Sequence, residues 1–176
     1  MSALSSLKRN WLWAALVLLC ALIVYAAFVA PSEVGKMELE FEASTAATRI
    51  GAELNGEPGT LIDAFARPSL APHLTRIFNK LGYGHRVLHY ELYDHAGNLS
   101  FASGKAGLTF DPNVDGAPRG LPGAEPAVTL HNRSNAAVSH FAVLAIPAHM
   151  SGQPDGTLLV YLDQSDRAMM LSRYFG

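Results

Sequence analysis

Cysteine is nearly absent from this sequence of 176 residues, since Cys20 is the only one. A single thiol excludes a disulfide framework and a cysteine-based zinc site. Basic residues are also few, 13 Lys and Arg against 15 Asp and Glu, and they are dispersed along the chain. A mildly acidic chain of this kind is a poor nucleic-acid binder, so no nucleic-acid partner is expected. With 49% hydrophobic residues, the composition is too apolar for a disordered chain.

Charge is missing altogether from residues 11–30, which are apolar without interruption and contain neither proline nor glycine. Twenty residues at about 1.5 Å each span about 30 Å, the thickness of the hydrocarbon core of a bilayer. Lys8 and Arg9 precede the run, whereas all 15 acidic residues follow it. The positive-inside rule then predicts a single-pass protein of the inner (cytoplasmic) membrane, with residues 1–10 cytoplasmic and residues 31–176 periplasmic or extracellular. The lipid bilayer is therefore an expected partner, contacted through residues 11–30.

Two other interpretations of the apolar run are open. A cleaved signal peptide normally has an apolar core of only about 7–15 residues and small side chains at its cleavage site. Cleavage after Ala30 would place Phe28 at the −3 position, and cleavage after Ala27 would place Tyr25 there. Neither side chain is small. A buried helix in a soluble core is the third interpretation, but the length of the run and its flanks favour a retained anchor.

Beyond residue 30 the pattern predicts helices first and strands afterwards. Apolar residues from Val34 to Leu54 recur mostly at spacings of three and four, as in an amphipathic helix that continues from the membrane. Further helices are predicted over 60–66, over 70–81 and from residue 165. After Gly84 the period changes to two, which is typical of strands. Five strands are predicted, over 87–93, 99–103, 127–131, 139–146 and 157–162.

This order of elements predicts an α+β fold. An N-terminal transmembrane helix continues into a long helix, and a five-stranded antiparallel sheet follows with helices packed on one of its faces. The first two strands are joined by a tight turn, in which Asp94 bonds nearby backbone and Gly97 takes a positive φ. Residues 104–126 contain five Gly and four Pro, which predicts a long irregular loop of the kind that often carries function.

Two stretches resemble parts of extracytoplasmic PAS-like sensor domains of the Cache type. Residues 86–103 resemble the strand–Asp-x-x-Gly–strand hairpin that opens the sheet in those domains. Residues 141–165 resemble the closing hairpin, in which an apolar strand ending in Pro147 meets a Gly-containing turn and a second apolar strand. With the helices, the resemblance covers most of residues 32–175. It implies that residues 31–176 form a PAS-like, Cache-type sensor domain.

The resemblance also implies a function, as the input module of a bacterial signal-transduction receptor. Receptors of this kind carry a diguanylate cyclase or phosphodiesterase, a histidine kinase or a chemoreceptor signalling helix as their output module. A second membrane helix usually follows the sensor, and the sequence to Gly176 contains neither that helix nor an output module. The expectation is therefore a sensing domain without its output module and without enzymatic activity of its own. The alternative is a single-pass envelope protein whose domain binds another protein.

PAS-like sensors bind small molecules between the sheet and its covering loop, so the resemblance implies a ligand here. The candidate ligand-binding residues, beside the loop 104–126, are His89, Tyr93, Arg133, His140 and Tyr161. Arg133 is able to pair with a carboxylate through two bonds, and aromatic side chains supply apolar walls. Two alternatives are open. Arg133 is a solvated turn residue, and the face that His89 shares with Glu91 and Tyr93 is the solvated side of the sheet.

No cofactor, no metal and no catalytic residue is expected. His85 and His89 are about 13 Å apart along one strand face, too far for one ion, and only a meeting of His89 with His140 across strands stays open. The sequence has no G-x-S-x-G, H-E-x-x-H, G-x-x-x-x-G-K or G-x-G-x-x-G motif. Ser139 and His140 are neighbours on a predicted strand, so their side chains are expected on opposite faces rather than paired.

The apolar stripe of the long helix has two interpretations. It packs on the domain's own sheet, or it pairs with the same helix of a second copy through residues 37–54, as in many sensor receptors. The spacing is not a strict heptad repeat, which favours packing on the sheet.

Overall fold

The computed structural model describes residues 3–56, 70–103, 125–132, 138–148 and 156–175. Two compact units are distinguished, one of residues 1–38 with 169–176 and one of residues 39–168. Helical backbone is continuous from residue 3 to residue 56 through α1 (Ala3–Val24), a π-helical turn (Tyr25–Val29) and α2 (Ala30–Gly56). The remaining helices are α3 (Leu70–Lys80) and α4 (Ser165–Phe175).

The apolar run lies in this continuous helix, with its side chains exposed. Among the described residues, one helix is long and apolar enough to cross a membrane. No residue in its most apolar stretch is buried. Trp13, for example, is 62% exposed. This exposure separates the helix from the core helices of soluble proteins, whose apolar side chains are covered. A membrane anchor and a signal sequence both fit the length and composition.

A five-stranded antiparallel sheet forms the second unit's centre, in the order β2-β1-β5-β4-β3. Its strands are β1 (Val87–Tyr93), β2 (Leu99–Ala102), β3 (Ala127–Asn132), β4 (His140–Ala148) and β5 (Gly156–Asp163). Each begins and ends within two residues of a predicted strand. The prediction of an α+β chain with a long N-terminal apolar helix and five antiparallel strands is confirmed. The predicted helix over 60–66 and the loop 104–126, except its last two residues, lie outside the described residues.

One face of the sheet is apolar and shares a buried cluster with α2 and α3. The sheet contributes alternate residues of three strands, among them Tyr90, Leu92, Leu144, Ile146 and Val160. The helices contribute aliphatic and aromatic side chains, among them Ala43, Ala47, Ile50, Leu74 and Phe78. The rings of Phe78 and Tyr90 meet edge to face with their centroids 5.4 Å apart. A Cβ on Gly51 would lie 3.2 Å from Ile146, so glycine at this position allows the close approach of α2 to β4.

The apolar residues of α2 divide between two opposite sides of the helix. Ala43, Ala46, Ala47, Ile50 and Leu54 are buried, whereas Val34, Met37 and Phe41 are exposed, Phe41 by 71%. At about 100° per residue, these two sets lie roughly half a turn apart. The prediction of a single stripe from Val34 to Leu54 is therefore wrong. Only its later part contributes to the domain's own core.

Polar contacts join α2 to the end of the sheet. Arg86 Nη1 lies 2.6 Å from Glu42 Oε1, and Arg86 Nε donates to the backbone carbonyl of Asp163. The buried Gln164 donates its side-chain amide to the carbonyl of Leu39, 3.2 Å away. Buried polar groups need such partners. These bonds therefore add to the apolar contacts and fix the position of α2 relative to the end of β5.

The turn between β1 and β2 forms as predicted. Asp94 Oδ1 accepts the backbone N–H groups of Ala96 and Asn98 at 2.9 and 2.8 Å, and Gly97 has a φ of 81°. The side-chain amide of Asn98 adds a third bond, to Asp94 Oδ2. These contacts hold the pKa of the Asp94 carboxyl below its ordinary value of 3.8. The hydrogen bond from the side-chain amide of Asn98 makes the largest contribution.

We expect the Asp94→Asn variant to keep this turn and to lose part of the protein's acid sensitivity. A carboxyl whose pKa is lowered by folding stabilises the native state above its ordinary pKa, and that stabilisation is lost as the pH falls through the lowered pKa. The melting temperature of the wild type should therefore fall more steeply below pH 3.8 than that of the variant. Circular dichroism melts from pH 2 to pH 6 give the comparison, and parallel curves would contradict it.

Candidate functional site

The sheet face opposite α2 and α3, called here the second face, is buried but carries polar side chains. A register shift between Val87 and His89 makes Leu88 an extra residue in β1. After this bulge the strand alternates regularly, and His89 and Glu91 lie opposite Tyr161 and Leu159 of β5. Apolar neighbours complete the face, namely Phe141, Val143 and Ala145 of β4.

Glu91 is the centre of the polar group on this face and is only 4% exposed. Its Oε1 lies 3.1 Å from His89 Nε2. Its Oε2 accepts the hydroxyl of Tyr93 at 2.8 Å and that of Tyr161 at 3.5 Å. A carboxylate buried this deeply needs such donors, because an unsatisfied charge in the interior is very costly.

Ser103, at the end of β2, extends this network beyond the imidazole. Its Oγ lies 2.8 Å from His89 Nδ1 and accepts the backbone N–H of Tyr90 at 2.9 Å. The serine proton is then free to point at Nδ1, which leaves the imidazole proton on Nε2, facing Glu91. In this arrangement each hydrogen bond from Ser103 through His89 to Glu91 has one donor and one acceptor. We call these five residues the Glu91 cluster: His89, Glu91, Tyr93, Ser103 and Tyr161.

The tyrosine hydroxyls of the cluster are held in their protonated form. Burial, with a further contribution from the neighbouring Glu91, raises the pKa of Tyr93 to about 12. The same two causes raise the pKa of Tyr161. Both phenols therefore stay hydrogen-bond donors to the carboxylate across the physiological pH range.

A second histidine of this face lies on β3 and is stacked on an aromatic ring. His131 and Phe141 are nearly parallel, with their ring centroids 4.9 Å apart. The Nε2 atom of His131 is buried without a hydrogen-bond partner. Burial lowers the pKa of His131, which favours the neutral ring.

The structure brings three of the five predicted ligand-binding residues together. His89, Tyr93 and Tyr161 meet around Glu91, and the His89 and Tyr161 rings are 5.6 Å apart. Arg133 lies outside the described residues. His140 is not part of the cluster, because β5 separates β4 from β1 and the residue after His140, Phe141, belongs to the second face.

The expectation that Ser139 and His140 point apart is wrong. Ser139 Oγ lies 3.0 Å from His140 Nδ1. Strand alternation does not apply to this pair, because β4 begins only at His140. The hydroxyl of Ser165 also bonds both residues, accepting their backbone N–H groups at 3.1 and 3.3 Å. These side chains therefore join the start of β4 to the start of α4.

The interpretation of the second face as the solvated side of the sheet is also wrong. Tyr161 and Val143 are 0% exposed, and Phe141 is buried as well.

Sequence reasoning missed two members of the cluster, Glu91 and Ser103. Glu91 had a signal, because it lies between His89 and Tyr93 in the period-two pattern. Ser103 had none, because its contact depends on the register of the hairpin.

The chemistry of the cluster is that of hydrogen bonding to a buried carboxylate. Ser103, His89 and Glu91 follow the order of nucleophile, base and acid, and the serine oxygen also accepts the N–H of Tyr90. In the parts of the chain that the structure describes, no group of three or more His, Cys, Asp or Glu side chains is placed to hold a metal ion.

No protein-family model matches the sequence, and no curated protein matches it significantly.

Proposed function

We propose that this chain is a membrane-anchored extracytoplasmic sensing domain, and that its small-molecule ligand binds at the Glu91 cluster. The observation that carries the proposal is the gathering of a carboxylate, two phenols and an imidazole on a buried sheet face. Apolar side chains would fill the same positions at a lower desolvation cost. A few convergent polar groups among apolar walls are typical of small-molecule sites.

The architecture supports the same proposal. The contacts of α2 and α3 are with the other sheet face, so the Glu91 cluster lies on a face that these two helices do not share. We infer a PAS-like fold of the Cache type, with its helices packed on one side, for residues 31–176. Such a domain would be the input module of a bacterial signal-transduction receptor, acting through an output module and without catalysis of its own. The hairpin closed by Asp94 is one of the two stretches on which the resemblance depends, and it forms in the structure.

We also infer a topology, with residues 1–10 in the cytoplasm, residues 11–30 across the inner membrane and the rest outside the cytoplasm. Lys8 and Arg9 on one side of the run support this orientation. A homodimer through residues 37–54 stays a prediction. The large apolar side chains that are exposed in that range are Met37 and Phe41, on the side of α2 opposite the core.

Single-cysteine labelling is expected to report this orientation. In a Cys20→Ser background, Ala52→Cys on an exposed position of α2 should react with a membrane-impermeant maleimide added to intact spheroplasts. Ser6→Cys should react only after the membrane is opened. The opposite pattern would invert the topology. Loss of residues 1–30 from the mature chain, measured by mass spectrometry, would replace the anchor by a cleaved signal.

A thermal-shift screen of the purified full-length chain against small metabolites tests the sensing function. A ligand that binds the folded state raises its melting temperature by mass action. The hit should lose this effect in Glu91→Gln and keep it in Glu53→Gln, a surface residue paired with Lys80.

A second candidate function is binding of another protein in the envelope. The observation that favours it is the exposure of Met169, Met170 and Tyr174 on α4. A screen without hits, together with a stable protein partner lost on changing Met169, Met170 and Tyr174 to serine, would support this alternative.

A further inference from the structure

We propose that the ligand of the Glu91 cluster is a small organic cation with N–H donors, a primary or secondary ammonium, rather than a carboxylate. This inference rests on the proposed binding function of the second face. It is drawn from the direction of the hydrogen bonds in the cluster and from the sign of its charge.

The donors of the cluster are directed inward. The hydroxyl of Tyr93 donates to Glu91 Oε2, and the Nε2–H of His89 is directed at Oε1. The hydroxyl of Ser103 is directed at the imidazole, while its oxygen accepts a backbone N–H. The oxygens of Tyr93 and Ser103 therefore offer lone pairs rather than protons. A ligand that meets these atoms has to bring the hydrogen atoms itself.

The charge of the cluster points in the same direction. Among the described residues, the bonds to Glu91 come from two phenols and an imidazole, and not from an arginine or a lysine. Phenols and an imidazole satisfy the lone pairs of the carboxylate without supplying the fixed positive charge of an arginine or a lysine. An ammonium at this position is attracted, and a second carboxylate is repelled.

One bond of the cluster is long enough to be replaced by the ligand. The hydroxyl of Tyr161 is 3.5 Å from Glu91 Oε2, whereas that of Tyr93 is 2.8 Å from the same atom. A charged N–H donor bonds a carboxylate at about 2.7–2.9 Å and roughly twice as strongly as a neutral donor. The faces of the Tyr93 and Tyr161 rings also attract cations. An ammonium therefore gains both a carboxylate bond and aromatic contact.

The expectation that Arg133 pairs with a ligand carboxylate leads to the opposite ligand class. Arg133 lies outside the described residues, so the comparison has to be made by experiment. Two matched sets of probes separate the classes, since each set has one cation, one anion and one neutral molecule of similar size. The sets are butylammonium, butyrate and 1-butanol, and 2-phenylethylammonium, 3-phenylpropionate and 2-phenylethanol.

Calorimetry and thermal shift on the full-length chain in nanodiscs are expected to detect the ammonium of at least one set and neither of its matched partners. Glu91→Gln should weaken that binding at least about tenfold, because the charge that the ligand meets is removed. Glu53→Gln, a half-buried acid on α2 that pairs with Lys80, is the control and should bind like the wild type. Tyr93→Phe removes one acceptor oxygen but frees a lone pair of Glu91 for the ammonium, so it should keep most of the binding.

Four results would overturn the ammonium assignment. Binding of a carboxylate probe, with tighter binding in Glu91→Gln, would reverse the ligand class and leave the sensing function standing. Silence of all six probes while the metabolite screen yields a ligand without an ammonium group would remove the assignment and leave the sensing function standing. Loss of ammonium binding in a folded Tyr93→Phe variant would place the ligand on the hydroxyl instead of the carboxylate. Silence of both the probes and the screen would remove the proposed function together with the assignment.

Discussion

Glu91→Leu is expected to lower the free energy of unfolding by about 3–5 kcal/mol, because removing a buried charged partner leaves its donors unsatisfied. The hydroxyls of Tyr93 and Tyr161 and the Nε2 atom of His89 would all lose their acceptor. Leucine fills a similar volume, so the loss reports the polar contacts rather than a cavity. Urea unfolding followed by circular dichroism measures the difference.

Glu91→Gln separates the role of the charge from that of the acceptor. Its amide oxygen keeps one acceptor, and its NH2 group is able to donate to a phenol oxygen, so we expect a loss of only about 1–2 kcal/mol. Glu53→Gln on the surface should change stability by less than about 0.5 kcal/mol. Equal losses for leucine and glutamine at position 91, or a more stable leucine variant, would mean that the donors find other partners and that the cluster does not depend on Glu91.

Ile50→Ala is expected to cost about 2–4 kcal/mol, in the range measured for large-to-small changes in cores. Ile50 is 0% exposed and packs in the cluster that α2 shares with the sheet. Phe41→Ala removes a larger side chain from the same helix but from its exposed side. Its cost should stay within about 0.5 kcal/mol, the usual range for surface substitutions.

The comparison of these two variants tests which part of the apolar pattern of α2 forms the core. Denaturant midpoints at constant slope give both values on the same scale. A large loss for Phe41→Ala that grows with protein concentration would assign the exposed side to a contact with a second copy. A small loss for Ile50→Ala would contradict the packing of α2 against the sheet.

The hairpin of β1 and β2 could be predicted from the sequence because its determinants are local. Asp94 and Gly97 act on backbone groups within four residues of themselves, and the alternation of apolar residues marks the strands on either side. Strand bounds elsewhere were predictable for the same reason, since turn residues interrupt the apolar runs. The apolar run at 11–30 was equally plain, because length and lack of charge are properties of the sequence itself.

The bulge at Leu88 and the contacts of Ser103 could not be predicted, because each depends on how two strands align. Strict alternation places Leu88 on the side of Tyr90, whereas the extra residue in β1 brings Leu88 to the second face. The spacing of three and four residues also failed to predict which apolar side chains of α2 are buried. Phe41 and Ala43 are only two residues apart, a step that turns the helix by about 200° and moves the apolar stripe from one side to the other.

The burial of the second face was the most consequential feature that the pattern did not settle. Alternation places His89, Glu91 and Tyr93 on one side, but it does not say whether that side meets water or protein. A charged residue in a strand is ordinarily assigned to solvent. Here Glu91 is buried because its donors are supplied by neighbours on the same strand and by Tyr161, 70 residues away along the chain.

The central position of β5 makes the sheet depend on the last of its five strands to be synthesised. β5 joins the hairpin of β1 and β2 on one side to the pair of β3 and β4 on the other. Until residues 156–163 have left the ribosome, the two hairpins have no strand between them and Glu91 lacks one of its donors. Such long-range pairing is slow to form. In a growing chain the joining of β1 and β2 to β3 and β4 in one sheet therefore waits for β5.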